Sequence, residues 1–140
     1  MFINTLYKKY GDRVQFLLVY IREAHPKDGW QKKGSSTVRD PKTLENRQAV
    51  GLQCTSSFNF QFPAVVDTMK DETNIQYAAW PERLYLIDPQ GKIAYSGKQG
   101  PWGFTPTIAW ENKSGKRDKG SQKGQSLEQA LIDHLKNDRP

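Results

Sequence analysis

Apolar side chains at Phe2, Ile3, Leu6, Tyr7 and Tyr10 recur close to helical period, with Lys8 and Lys9 on the other side. The spacing predicts a helix over 1–10 that stops at Gly11-Asp12, so the chain is expected to begin inside a helix. Phe16-Leu17-Leu18-Val19-Tyr20-Ile21 is an unbroken apolar run, the pattern of a strand buried on both faces. Residues 22–42 are charged and carry Pro26, Gly29, Gly34 and Pro41, which marks them as loop. Asp40-Pro41 then reads as an N-cap followed by proline at the first helical position. It opens a helix through Leu44, Ala49, Val50 and Leu52 to about Cys54. Phe62-Pro63 introduces a second short buried strand, Ala64-Val65-Val66, closed by Asp67. A short helix is predicted over 71–79. Pro81 opens a third strand, Arg83–Ile87. Asp88-Pro89-Gln90-Gly91 is a turn, and Ile93-Ala94-Tyr95 returns as a fourth strand. Strands joined through a helix pair in parallel and the hairpin adds an antiparallel edge, so the fold class is α/β with a mixed sheet flanked by helices.

Between Asn112 and Gly124 the pattern breaks down into Lys, Gly, Ser, Gln, Arg and Asp, a composition with nothing to bury. After it, Ser126-x-x-Gln129 is a capping box. Leu127, Ala130, Leu131 and Leu135 form the stripe of a short amphipathic helix that would cover one sheet face. The chain thus divides into a domain over 1–111, a basic flexible insertion over 112–125, and a C-terminal helix over 126–140 that belongs to the same domain.

The 140 residues suit one domain, and 36% hydrophobic residues can fill a core. No apolar run reaches the ~20 residues of a membrane span, and no secretory signal is visible, so the chain as given reads as soluble and cytoplasmic. Cys54 is the sole cysteine, which excludes a disulfide framework and a thiolate zinc site. The net charge of +6 raises nucleic acid as a partner. However, Lys113, Lys116, Arg117, Lys119 and Lys123 against Asp118 place +4 of it in 112–124, without the interleaved aromatics of a single-strand groove. Nucleic acid is therefore not expected, and neither is a metal.

Glu23 and His25 leave the carboxyl end of the first strand, where ligands collect in parallel α/β sheets. Spaced i, i+2 in extended chain, they would project to one side, and a carboxylate beside an imidazole suits general acid work. A surface pair capping a loop is the competing reading. Arg83, after Trp80-Pro81-Glu82, would hold an anionic or polar substrate group or else pair with a nearby carboxylate. Pro81 is a candidate cis position. Cys54 lies at the wrong end of its helix for an activated thiol and reads as structural. His134 reads as a charge partner at a helix C-terminus. Trp102, in Gly100-Pro101-Trp102-Gly103-Phe104, is either a core plug or the wall of an aromatic pocket. The chain offers acid–base and positioning groups but no convincing nucleophile.

Three stretches carry a resemblance. Phe16-Leu-Leu-Val-Tyr-Ile-Arg-Glu-Ala-His-Pro-Lys-Asp-Gly-Trp30 resembles the EAHxxDGW segment of the iodothyronine deiodinases. Val65-Val-Asp-Thr-Met69 with Tyr77-Ala-Ala-Trp-Pro-Glu-Arg-Leu-Tyr85 is similar to their VVDTM…YxAxPERLY block. Gly91-Lys-Ile-Ala-Tyr-Ser-Gly-Lys-Gln-Gly-Pro-Trp102 is similar to their strand and GPW turn. The resemblance covers residues 1–106 and implies a thioredoxin-like fold with Pro81 at the proline facing the active site.

It further implies reductive removal of iodine from iodothyronines by a selenocysteine or cysteine, with an external thiol reductant and no bound cofactor. Glu23 and His25 then fall on the family's catalytic pair and Arg83 on its substrate-contacting arginine, with Trp80, Pro81 and Trp102 as further substrate contacts. Pro41 stands where the family has a second histidine. A small aromatic or halogenated substrate and a homodimer are the partners the resemblance implies. The family's selenocysteine loop precedes the helix equivalent to 1–10. The first strand and catalytic loop are thus expected upstream of Met1, as when a UGA codon is read as a stop and translation is assigned from the next methionine. This polypeptide alone is expected to be inactive. The alternatives are a general thiol or peroxide redoxin of the same fold and a non-catalytic binding module.

Overall fold

The structure, a computed structural model, describes residues 2–29, 37–109 and 125–137. The predicted basic insertion lies almost wholly outside the described residues, as does Trp30. The chain forms an α/β fold whose order is α1 (Phe2–Tyr10), β1 (Leu18–Tyr20), α2 (Leu44–Ser57), β2 (Ala64–Val66), α3 (Glu72–Tyr77), β3 (Tyr85–Ile87), β4 (Ile93–Ser96) and α4 (Leu127–Asn137). That order agrees with the thioredoxin-like arrangement. Two compact units divide at Trp80/Pro81, Phe2 belonging with the second.

In the first unit β1 and β2 pair in parallel, Leu18 with Ala64, Val19 with Val65 and Tyr20 with Val66. The ladder is extended by Leu18 N–H donating to Pro63 O and Asp67 N–H to Tyr20 O. The apolar run predicted a strand buried on both faces. Instead β1 is half-buried, and Leu17 and Val65 are exposed. Helix α2 packs on β2, with Gly51 against Tyr20 and Val66. A Cβ there would stand 3.4 Å from Tyr20 Cγ and 3.5 Å from Val66 Cγ2.

The start of α2 departs from the sequence reading. Its N-cap is Thr43, whose Oγ1 accepts from Asn46 N–H at 3.2 Å. Asp40, the predicted cap, is occupied elsewhere. Its carboxylate pairs with Lys42 Nζ at 2.6 Å and its own N–H donates to Asp28 Oδ1. A second apolar centre gathers Tyr7 of α1, Phe16, Phe62 and Phe60, with neighbouring ring centroids 5.1–5.7 Å apart.

At the far end of β2, Asp67 is buried and its carboxylate accepts from the N–H groups of Thr68, Thr73 and Asn74 at 2.9, 3.0 and 2.9 Å. This supplies the acceptors that the first turn of α3 lacks. Burial pushes the Asp67 carboxyl up, but the hydrogen bonds from Asn74, Thr73 and Thr68 together outweigh it. The group therefore stays below the usual carboxylate range.

In the second unit the hairpin pairs Tyr85 with Ser96, Leu86 with Tyr95, and Ile87 with Ile93 across a bulge. Its turn follows the sequence chemistry. Asp88 Oδ1 accepts from Gln90 and Lys92 N–H, and Gly91 takes φ +77°, a value that glycine adopts without steric cost. Arg83 was read as opening β3 but precedes it by two residues. Helix α4 lies on β3 and β4, with Leu127, Ala130 and Leu131 buried. Fully burying a leucine such as Leu131 stabilises by roughly 1.5–3 kcal/mol. Ser126 Oγ accepts from Gln129 N–H as the capping box requires, while the Gln129 amide donates to Asp133 instead of reaching back.

Candidate functional site

The carboxyl end of β1 carries the candidate chemistry, because the chain leaves the ladder there and its side chains are released from cross-strand packing. Residues 22–25 bend instead of continuing extended, so the i, i+2 geometry expected for Glu23 and His25 does not hold. The bend turns the Glu23 carboxylate back onto its own strand, where the Tyr20 hydroxyl donates to Oε1. His25 is exposed.

Tyr20 is itself fixed by its ring lying over Gly51. Its phenol is pushed well above the ordinary tyrosine range, first by burial, then by the hydrogen bond to Glu23 and the negative charges of Glu23 and Cys54, against an opposing pull from Arg47. At neutral pH Tyr20 is thus a neutral phenol that donates to Glu23. Tyr20 was missed in the sequence because it stands inside an apolar run. The available signal was a tyrosine three residues before a glutamate at a strand exit.

Glu23 and Trp80 line one cavity of about 200 Å³ with Arg22, Asp28, Asp40 and Lys42. Two of the residues singled out by sequence therefore line one cavity, with Trp80 as its aromatic member and charged side chains of both signs beside it. Asp28 is held below the usual carboxylate range, chiefly by the hydrogen bond from Asp40 N–H. Lys42 is held above its ordinary value by Asp40. Cys54 sits one turn beyond Gly51, half-buried. Burial, and then the charge of Glu23, push its thiol above the ordinary cysteine range. This is the opposite of an activated nucleophile.

In the second unit Arg83 is half-buried. Its Nε donates to Gly97 O at 2.8 Å, and its guanidinium lies 5.7 Å from the Tyr85 ring centroid. Pro81 is half-buried, and the cis bond anticipated there is found instead at Gly100–Pro101. The reversal before Pro81 is made by Ala78 in the left-handed region. Trp102 is 89% exposed, which rules out the core-plug reading. The loop that presents it is closed by Lys98 N–H to Gly103 O and by Gly100 N–H to Glu82 O. Among the described residues no group of three or more His, Cys, Asp or Glu could hold a metal, and no helix is long and apolar enough to cross a membrane.

The sequence model of iodothyronine deiodinases matches residues 2–111, a span that contains every residue of the candidate site. The chain belongs to the iodothyronine deiodinase family. It is 38% identical over 103 residues to the type I iodothyronine deiodinase of Xenopus laevis, covering 74% of this chain and 40% of that protein. With the type II iodothyronine deiodinase of Homo sapiens the identity is 37% over 107 residues, 72% of this chain and 39% of the relative. With the thyroxine 5-deiodinase of Ovis aries it is 37% over 102 residues, 72% and 34%. The chain therefore spans well under half the length of these deiodinases. The Tyr20–Glu23 pair, the Trp80-lined cavity and Arg83 all lie inside the deiodinase match.

Proposed function

We propose that the protein is a deiodinase-type oxidoreductase that removes iodine reductively from iodothyronine-like aryl iodides. A selenocysteine or cysteine outside these 140 residues would be the nucleophile. The observation that carries the reading is the Tyr20–Glu23 hydrogen bond, with Glu23 lining a cavity beside Trp80, within a segment matched by the deiodinase family. The high thiol pKa of Cys54 supports a nucleophile from elsewhere. In the reaction the chalcogenolate takes iodine as a formal cation, the aryl carbon takes a proton, and two thiol equivalents restore the chalcogen with release of iodide.

The chain's own residues handle the proton and the substrate. Glu23, oriented by the Tyr20 hydroxyl, and His25 manage the proton delivered to carbon. In the first unit Trp80 offers apolar surface to an aromatic ring; in the second, Pro81 and Trp102 offer such surface and Arg83 offers a cation to a phenolate or carboxylate. The thiol reductant, a homodimeric assembly and a cytoplasmic setting belong to the same proposal.

The test is deiodination of an iodothyronine by the intact protein with a dithiol, comparing Glu23→Gln and His25→Ala with the parent. A fall of about 10²–10⁴ in kcat for either variant is expected for lost acid–base work. Parental turnover in both variants would refute the assignment. Turnover of peroxide but not of aryl iodide would move the protein to the general redoxins.

A further inference from the structure

An aspartate preceding a helix usually spends its carboxylate on the helix N–H groups. Asp71 does not: it stands at the N-cap of α3 with φ +56° and makes no side-chain cap. Asp67 already fills that role by accepting from Thr73 and Asn74 N–H. The Asp71 carboxylate is turned toward two arginines instead. Oδ1 accepts from Nη1 of Arg47 at 2.9 Å, and Oδ2 lies 3.8 Å from Nη1 of Arg22. Arg47 is 3% exposed and is itself locked, Nη1 also donating to Thr68 O at 2.6 Å. A counter-charge for buried Arg47 accounts for Oδ1 only. The second oxygen reaches Arg22, the residue immediately before Glu23.

We propose that Asp71, held by Arg47, and Arg22 are positioning residues for Glu23. They tether the first residue of the bend after β1, so that the Glu23 carboxylate stays folded back on the Tyr20 hydroxyl. The inference rests on the proton-handling role given to Glu23. On the strand side the bend is already fixed, Asp67 N–H donating to Tyr20 O. The Arg22–Asp71 pair supplies the second point of attachment.

The experiment is amide hydrogen exchange of a peptide covering 18–25 in the intact protein, for Arg22→Gln, Asp71→Asn, the double variant and Arg22→Lys. Exchange about two- to five-fold faster is expected in Arg22→Gln, the scale of a half-exposed ion pair. The double variant should exchange no faster than Asp71→Asn alone, and Arg22→Lys should stay near the parent. The kcat for deiodination should fall by a similar factor in Arg22→Gln, and in Asp71→Asn, which does not line the cavity, it should fall with KM unchanged. Unchanged exchange in Arg22→Gln would overturn the proposal, as would effects that multiply in the double variant or faster exchange with parental kcat. The exchange readings need no substrate. A protein without turnover would therefore sink the functional reading and leave the tether to be decided by exchange.

Discussion

The Tyr20 hydroxyl donates to the Glu23 carboxylate three residues along, and the phenol is raised in part because that carboxylate is there. A raised phenol pKa means that folding favours the protonated form. Its stabilisation is complete below the unfolded tyrosine value of about 10 and is lost as pH rises from there toward the folded value. One of the six tyrosines should therefore resist ionisation when tyrosinate absorbance is followed to about pH 11. In Glu23→Gln it should titrate nearer the ordinary range. Stability measured above about pH 10 should fall less steeply in Tyr20→Phe than in the parent. Six phenols titrating together in the folded parent would show that the pair does not form.

The same carboxylate acts on Cys54, whose thiol is raised by burial and then by Glu23. Alkylation follows the thiolate fraction, so iodoacetamide at pH 8 should label Cys54 well below the rate of a free cysteine peptide. Neutralising Glu23 should speed the labelling while the fold is kept, as judged by circular dichroism. Because burial is the larger cause, part of the protection should survive in Glu23→Gln. Labelling at the free-peptide rate in the parent would contradict the placement of Cys54.

How far these features were visible in the sequence depended on whether a neighbour was needed to define them. The βαβ order, the Asp88–Gly91 turn and the Ser126 cap are local patterns, and all are present. By residue type the start of α2 falls at Asp40, a good cap, but Thr43 caps the helix because Asp40 is drawn away by Lys42 and Asp28. Tyr20 was hidden by hydropathy, which scores its ring and ignores its hydroxyl. Asp67 was readable as a strand end but not as the acceptor for a helix that begins five residues further on. The exposure of Trp102 could not be read from composition. It depends on a loop closed around Gly100 and Gly103.

Gly51 separates two effects that usually blur. A methyl group at this position would sit 3.4 Å from the Tyr20 ring, an ordinary contact, while alanine in a helix gains roughly 0.5–1 kcal/mol over glycine. Gly51→Ala should therefore be neutral or mildly stabilising in a denaturant titration. Gly51→Val must push the ring aside and should cost about 1–3 kcal/mol. It should also release Tyr20 from Glu23, visible as an earlier-titrating phenol. A neutral Gly51→Val would show that α2 does not press on Tyr20.

Asp67 gives the acid limb. Its carboxyl lies below the usual range because three backbone N–H groups bond the ionised form, and these outweigh a burial that alone would raise it. For a depressed carboxyl the stabilisation is complete above the unfolded value of about 4 and is lost as pH falls through the lower folded value. Asp67→Asn keeps the shape and loses the charge, and it leaves at most one oxygen to accept where two accept now. At pH 7 it should destabilise by about 1–3 kcal/mol, the cost of buried donors left poorly satisfied. As pH falls below the unfolded value of about 4 the difference from the parent should shrink, since the parental aspartate then progressively loses its charge as well. Midpoints of urea unfolding at pH 7 and pH 2.5 measure both. A gap that stays constant over that interval would mean that the ionised carboxylate does not hold the start of α3.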